Sequence, residues 1–139
     1  MNKWLQDICK VLRTSRTYQI HGDLINFIAG PNSKIIGKCA MGELGCKIGF
    51  KPMELYNMST HNYVKILKKY KVPLWLRKKN LPVIKGSIGE IGILCNPLDY
   101  VIEESYGRTL AEYIYDLNDS YSMNFKQIAD LLEVTFEDA

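Results

Sequence analysis

From Tyr56 to Gly89 the chain contains no aspartate and no glutamate. That absence excludes a mixed-charge surface that neutralises itself locally. The cations Lys65, Lys68, Lys69, Lys71, Arg77, Lys78, Lys79 and Lys85 are left crowded together. Long apolar runs are missing too, and a bilayer-spanning helix needs ~20 consecutive apolar residues; no membrane association is expected. Histidine is scarce: His21 and His61 belong to no ligand-spaced cluster, so no metal site is expected. The four cysteines, Cys9, Cys39, Cys46 and Cys95, lie far apart, which argues against a disulfide framework and for reduced thiols in a cytoplasm. The opening Met1-Asn2-Lys3-Trp4-Leu5-Gln6-Asp7 lacks the apolar run of a signal peptide, which again points to a cytoplasmic location.

What is present is a division of charge. Residues 1–89 carry 16 Lys/Arg against 4 Asp/Glu, and residues 90–139 carry 2 against 11. The formal net charge of +3 therefore hides two strongly charged halves. A field of this kind concentrates an acidic partner near the basic half. Nucleic acid, another protein and the chain's own C-terminal half all qualify.

With 139 residues, 47% hydrophobic and 24% charged, the chain has the size and composition of one globular domain, residues 1–139. Helical spacing of Trp4, Leu5, Ile8, Val11 and Leu12 predicts a helix from Met1 to Arg13. Tyr18, Ile20, Leu24, Ile25 and Phe27 are β-prone around His21-Gly22-Asp23, which predicts a small hairpin near residues 17–29. Gly30-Pro31-Asn32-Ser33 is a turn. In 34–50, Cys39, Gly42, Cys46 and Gly49 step by three and four, so the segment reads as a central helix with a face of small residues. Glycine costs roughly 1 kcal/mol in a helix interior. Gly42 and Gly45 therefore imply close approach of another backbone.

A third helix is expected after Ser59-Thr60 with Tyr63, Val64, Leu67 and Tyr70 inward. Pro73 and Pro82 bracket a loop or short helix, and 83–94 reads as a loop or weak strand. Asn96-Pro97 predicts a helix start with its end at Gly107. Thr109-x-x-Glu112 and Asn124-x-x-Gln127 are capping boxes for two final helices, joined by a linker short enough for an antiparallel hairpin. The expected fold is mainly α, a single-domain bundle of about five helices with a C-terminal helical hairpin.

No motif converges on a reaction. Gly30 to Gly37-Lys38 has the wrong spacing for a phosphate loop, and Cys39 stands where a hydroxyl would hold Mg²⁺. Cys39 and Cys46, two turns apart on a helix, cannot share one zinc. Residues 125–133 look like the first helix of a helix-turn-helix, but surrounding acidic charge would repel phosphate. The basic stretch, with Tyr63, Tyr70 and Trp75 interleaved, has the composition of a surface that grips phosphates and stacks bases. It equally has that of a solvated helix face over a buried one.

Three stretches together carry a resemblance. Gly37-Lys38-Cys39-Ala40-Met41-Gly42-Glu43-Leu44 is similar to a "GxCAxGxL" helix. Leu117-Asn118-Asp119 followed by Asn124-Phe125-Lys126-Gln127-Ile128-Ala129-Asp130-Leu131-Leu132-Glu133 is similar to an "LND…sFxxIADxLE" ending, and Tyr106-Gly107-Arg108-Thr109 fits its lead-in. The combination resembles a family of small proteins of unassigned function that recur in phages, prophages and other mobile elements. The resemblance implies a setting rather than a mechanism, and it directs attention to Arg108, Asn118 and Asp119. Two roles stand for each: Arg108 binds an anion or pairs with Glu103 or Glu104, and Asn118-Asp119 form a site or satisfy turn backbone groups.

The expected function is non-enzymatic: an accessory protein of a virus or mobile element that binds a host or viral protein, without cofactor. The alternative is nucleic-acid binding through Lys65, Lys68, Lys69, Lys71, Trp75, Arg77, Lys78, Lys79 and Lys85. Complementary charge halves also predict self-association as a homodimer that salt weakens.

Overall fold

Helix α1 (Lys3–Thr14) forms on the expected spacing and buries Trp4, Leu5, Ile8, Cys9 and Leu12. Each fully buried aliphatic side chain of this kind is worth about 1.5–3 kcal/mol. The computed structural model describes residues 3–28, 34–59, 62–77, 81–85 and 101–136; the side chains of Trp75, Leu76, 81–85 and 101–108 stand outside that description. Helices predominate, accompanied by small two-stranded antiparallel sheets. No helix among the described residues is long and apolar enough to cross a membrane.

The first sheet corrects the expected hairpin. Strand β1 (Ile25–Ile28) pairs with β2 (Lys34–Lys38), so the connection runs through 29–33, outside the described residues, and not through His21-Gly22-Asp23. Residues 18–20 lie on the other edge of β2: Lys38 N–H donates to the Tyr18 carbonyl at 2.9 Å, and Ile20 N–H to the Lys38 carbonyl at 3.1 Å. The helix read across 34–50 is correspondingly shorter. Lys34–Lys38 pairs as strand, Cys39 is extended (φ −81°, ψ 177°), and α2 begins at Ala40 and ends at Lys47. Two adjacent β-branched isoleucines with a partner strand outweigh the small-residue spacing there.

Within α2 the close-approach argument holds at Gly42, which is buried. A Cβ on Gly42 would strike the Leu24 carbonyl oxygen and lie 2.7 Å from its carbonyl carbon. That carbonyl accepts the Cys39 N–H at 3.1 Å, which clamps the residues before β1 against the helix start. Cys46, expected on the same buried face, is half-buried.

Helix α3 (Pro52–Tyr56), with Pro52 at its first position, has no counterpart in the sequence reading. Helix α4 (Val64–Lys69) buries Ile66 and Leu67 with the flanking Tyr63 and Tyr70 as expected, and α5 (Leu74–Arg77) is the short helix bracketed by prolines. Strand β3 (Leu81–Lys85) pairs with β4 (Val101–Arg108). This overturns the helix expected to end at Gly107: residues 101–108 are strand, and Asn96-Pro97 lies outside the described residues. Val101-Ile102 opposite Ile84 and Lys85 favours the ladder over the cap signal.

Both capping boxes are present, opening α6 (Leu110–Asp119) and α7 (Phe125–Thr135). Gln127 N–H donates to Asn124 Oδ1 at 2.8 Å and Asn124 N–H to Gln127 Oε1 at 2.9 Å. Helix α7 packs chiefly along α1, more than along α6, so the last two helices are not a self-contained hairpin. Trp4 and Phe136 meet edge-on at 6.0 Å where α1 and the end of α7 join. One apolar cluster draws on α1, α2, α4, α6 and α7.

Candidate functional site

The basic stretch divides sharply once folded. Tyr63 and Tyr70, which could have stacked bases, are only 5% and 6% exposed. Tyr70 OH donates to the Leu44 carbonyl at 2.7 Å in the core, and burial pushes its phenol well above the ordinary value. Lys65, Lys68, Lys69 and Lys71 are exposed around α4. Lys68 and Lys69 occupy its last turn, where a cation offsets the negative end of the helix dipole. Lys69 Nζ also sits 4.8 Å from the Phe50 ring centre. Lys71 takes the left-handed conformation (φ 62°) and donates its N–H to the Lys68 carbonyl at 3.0 Å, ending the helix where glycine is usual.

Arg77 turns inward: its Nε donates to the Val72 carbonyl at 3.1 Å. Trp75 lies on α5 and Lys85 on β3, both with side chains outside the description, as are Lys78 and Lys79 altogether. Of the expected cationic surface, the structure thus brings together the four lysines of 65–71. A cleft of about 340 Å³ beside them is lined by Lys3, Trp4, Asp7, Ile48, Lys69, Tyr70 and Lys71. Lys3 and Asp7 pair across one turn of its rim at 3.4 Å.

Asn118 and Asp119 come together as a clip rather than a turn cap. Asn118 is fully buried at the end of α6. Its Oδ1 accepts from Gln19 Nε2 at 2.7 Å and from Ala40 N–H at 3.0 Å; its Nδ2 donates to the Ile20 carbonyl and to Asp119 Oδ1, both at 2.8 Å. Asp119 Oδ2 accepts Gly22 N–H at 2.9 Å. One Asx pair therefore ties α6 to residues 19–22 and to the start of α2. A hydrogen bond with Asp119, reinforced by burial, pushes the Tyr115 phenol up to about 12. Arg108 ends β4 with its backbone paired to Leu81, and its side chain is outside the description.

Cys39 caps α2, its Sγ accepting Gly42 N–H at 3.4 Å, but burial pushes its thiol up to about 12. A thiol that stays protonated at neutral pH is not a nucleophile. Cys9 is likewise raised by burial to about 11 and donates to the Ala129 carbonyl at 3.5 Å. Among the described residues no three His, Cys, Asp or Glu side chains group around one metal position.

Two features escaped sequence reasoning. Lys38 and Glu43 form a buried ion pair, Nζ to Oε2 at 2.8 Å, although the approach to Oε2 lies outside hydrogen-bond geometry. Burial raises the nearby Cys46 thiol; the Lys38 charge pulls it down and Glu43 pushes it up. The available signal was the spacing itself, since an acid in a helix's first turn and a lysine just before it are natural neighbours. The second feature is apolar: Ile28, Ile36, Met53 and Tyr56 are large and exposed, all within the basic half. No protein-family model, no curated protein and no solved structure matches this chain.

Proposed function

We propose that this is a non-enzymatic accessory protein of a virus or mobile element, built as a single-domain helical fold and acting by binding a protein partner. The mobile-element setting rests on the family resemblance of 37–44, 106–109 and 117–133. The binding reading rests on one observation. In the basic half large apolar side chains, Met53 and Tyr56 among them, are exposed, while Tyr63 and Tyr70, interleaved with the lysines, are in the core. Such a surface suits a protein partner whose carboxylates are steered by the lysine field.

Among the described residues the nucleic-acid reading keeps the exposed lysines at 65, 68, 69 and 71. It loses Tyr63 and Tyr70 as stacking platforms. The test is capture of partners from host lysate, with and without nuclease, by wild type and by Lys65→Glu/Lys68→Glu. A protein retained after nuclease and weakened by the charge reversal supports the reading. Retention that nuclease abolishes, with direct DNA or RNA binding that falls steeply with salt, replaces it with the alternative.

A further inference from the structure

The cleft at the end of α4 is closed by the first turns of α1 and by Ile48 at the end of α2. Its volume of about 340 Å³ is near the lower limit of small-molecule pockets, ~300–1,000 Å³. Trp4, Ile48 and Tyr70 give it an apolar lining. The Tyr70 hydroxyl is engaged in the core by the Leu44 carbonyl, so Tyr70 brings no free polar group to the cleft. Lys3, Lys69 and Lys71 also line it, against a single acid, Asp7, which Lys3 already meets at 3.4 Å. Lys65 adds a further cation, one turn before Lys69 and on the same side of α4. Among the described residues Lys65, Lys69 and Lys71 form no ion pair. The Phe50 ring, 4.8 Å from Lys69 Nζ, leaves that charge in place. The C-terminal end of a helix carries about half a negative charge, too little to neutralise three ammonium groups. A cationic strip therefore runs from Lys65 along α4 into an apolar-lined cleft.

Resting on the protein-binding reading above, we propose that this cleft and strip hold a short acidic segment of the partner protein. One large apolar side chain of the segment enters the cleft against Ile48, and carboxylates beside it meet Lys69, Lys71 and Lys65. Helix α4 sets the spacing. Lys65 and Lys69 are ~6 Å apart in helix rise, about two residues of extended chain. The recognised pattern is an apolar anchor with acids roughly two to four residues away. Charge complementarity makes the occupant acidic, and the cleft chooses among acidic ones. A polypeptide supplies carboxylates and an apolar side chain at this separation. Nucleic acid has phosphates for the strip but only bases for the cleft. Trp4 and Tyr70, each 6% exposed, leave too little ring surface for a base to stack on. A small organic anion would fill the cleft and leave Lys65 unused.

The experiment uses the full chain and a display library of random 12-residue peptides, with the enriched peptides then synthesised. The expected pool is acidic and carries a Leu, Ile, Met, Phe or Trp at the stated distance from its acids. Its members should shift the Trp4 indole resonance and the amides of residues 48–50 and 65–71. Lys71→Asn removes a cation where the backbone is left-handed, a conformation asparagine accepts, so the thermal melt should not fall. It should weaken binding several-fold at low salt and flatten the salt dependence, and Lys71→Arg should restore both. Ile48→Gln should weaken binding about tenfold, as loss of an anchor's contact does. If Ile48→Gln melts below wild type, Lys71→Asn and Lys65→Glu carry the test, because both side chains are exposed.

A library that yields no binder, a pool without acidic bias, or binding indifferent to Lys71→Asn overturns the proposal. So does a dimer in sedimentation that Lys71→Asn dissolves, which assigns the cleft to a second copy. So do single-stranded oligonucleotides that move the same resonances. These failures differ from failure of the parent reading: a lysate protein captured equally by wild type and Lys71→Asn removes this cleft and leaves protein binding standing.

Discussion

Helices α4 and α7 are both short and amphipathic, with charge on their outer faces, yet they treat that charge in opposite ways. On α7 the acids are used: Arg13 of α1 forks onto Glu133 at 3.0 and 2.6 Å and reaches Asp130 at 2.7 Å, and Lys126 meets Asp130 at 3.3 Å. On α4, Lys65 and Lys68 meet no carboxylate among the described residues. The cause is placement. Helix α7 lies along α1, which presents an arginine at the right height, whereas the outer face of α4 looks into solvent. A charge division read along the chain therefore does not name a partner by itself. Only the part left unpaired after folding does, and among the described residues that part is chiefly basic.

The largest effects belong to charges and polar groups consumed inside the fold. Lys38→Met should destabilise by about 3–5 kcal/mol, because it leaves the Glu43 carboxylate buried without its counter-charge. Replacing both, as Lys38→Met/Glu43→Leu, should recover most of that loss, since a buried pair removed whole is often neutral. Urea unfolding of the two variants decides the matter. A single variant as stable as wild type would mean that water reaches Glu43 and that the pair belongs with the surface charges.

Next in size is Asn118→Ala, at about 2–3 kcal/mol. The substitution leaves Ala40 N–H and Gln19 Nε2 without the oxygen they share. Gln19 retains the Met123 carbonyl at 2.6 Å, so Ala40 N–H carries most of the expected loss. Hydrogen exchange localised to residues 19–22 and 40 would identify the clip as the cause; uniform exchange across the chain would not.

These two sites also mark where sequence reasoning stops. Helices α1, α6 and α7 were legible because their signals are local: apolar spacing for α1, and Thr109/Glu112 and Asn124/Gln127 closing on themselves three residues apart. The exposed lysines of α4 were legible for the same reason, since alternation with Ile66 and Leu67 dictates which side faces out. Strands β2 and β4 were misread because a strand depends on a partner elsewhere in the chain. Ile35-Ile36 and Val101-Ile102 show β propensity, but the small-residue spacing from Cys39 and the Asn96-Pro97 cap compete with it locally. The Asn118 clip was seen only as an Asx pair at a helix end, because Gln19, Ile20 and Ala40 are 78 to 99 residues away in sequence.

Arg13→Ala tests the partnered helix at smaller scale, with an expected cost of about 1 kcal/mol for a half-exposed, forked pair. Its pH dependence carries the sign. The hydrogen bond from Arg13 holds the Glu133 carboxyl below its ordinary value. At Asp130 burial pushes upward, but hydrogen bonds from Arg13 and Lys126 outweigh it and the net shift is down. Carboxyls depressed in the folded state stabilise it above their unfolded values, near pH 4, and that contribution disappears as pH falls through the folded values. Wild type should therefore lose stability on acidification more steeply than Arg13→Ala, and the two urea midpoints should converge as pH falls below about 4. Parallel curves would show that Arg13 acts by packing alone.

The smallest stability effect is expected where the comparison matters most for function. Lys65→Glu/Lys68→Glu should change stability by no more than about 0.5 kcal/mol, because neither side chain has an acidic partner to lose among the described residues. The sign carries information. Lys68 lies in the last turn of α4, so a carboxylate there opposes the helix dipole, whereas Lys65 lies in the first turn, where a carboxylate is favourable. The two substitutions should therefore largely cancel in the double variant. Measured singly, Lys68→Glu should be slightly destabilising and Lys65→Glu slightly stabilising. A loss above about 1 kcal/mol for the double variant would exceed what exposed charges supply. It would mean that these lysines are held by acids within the chain, as Asp130 and Glu133 are held by Arg13, and the contrast between the two helices would disappear. A stability change near zero, together with a clear drop in partner capture, would place the charge of α4 outside the needs of the fold and inside those of binding.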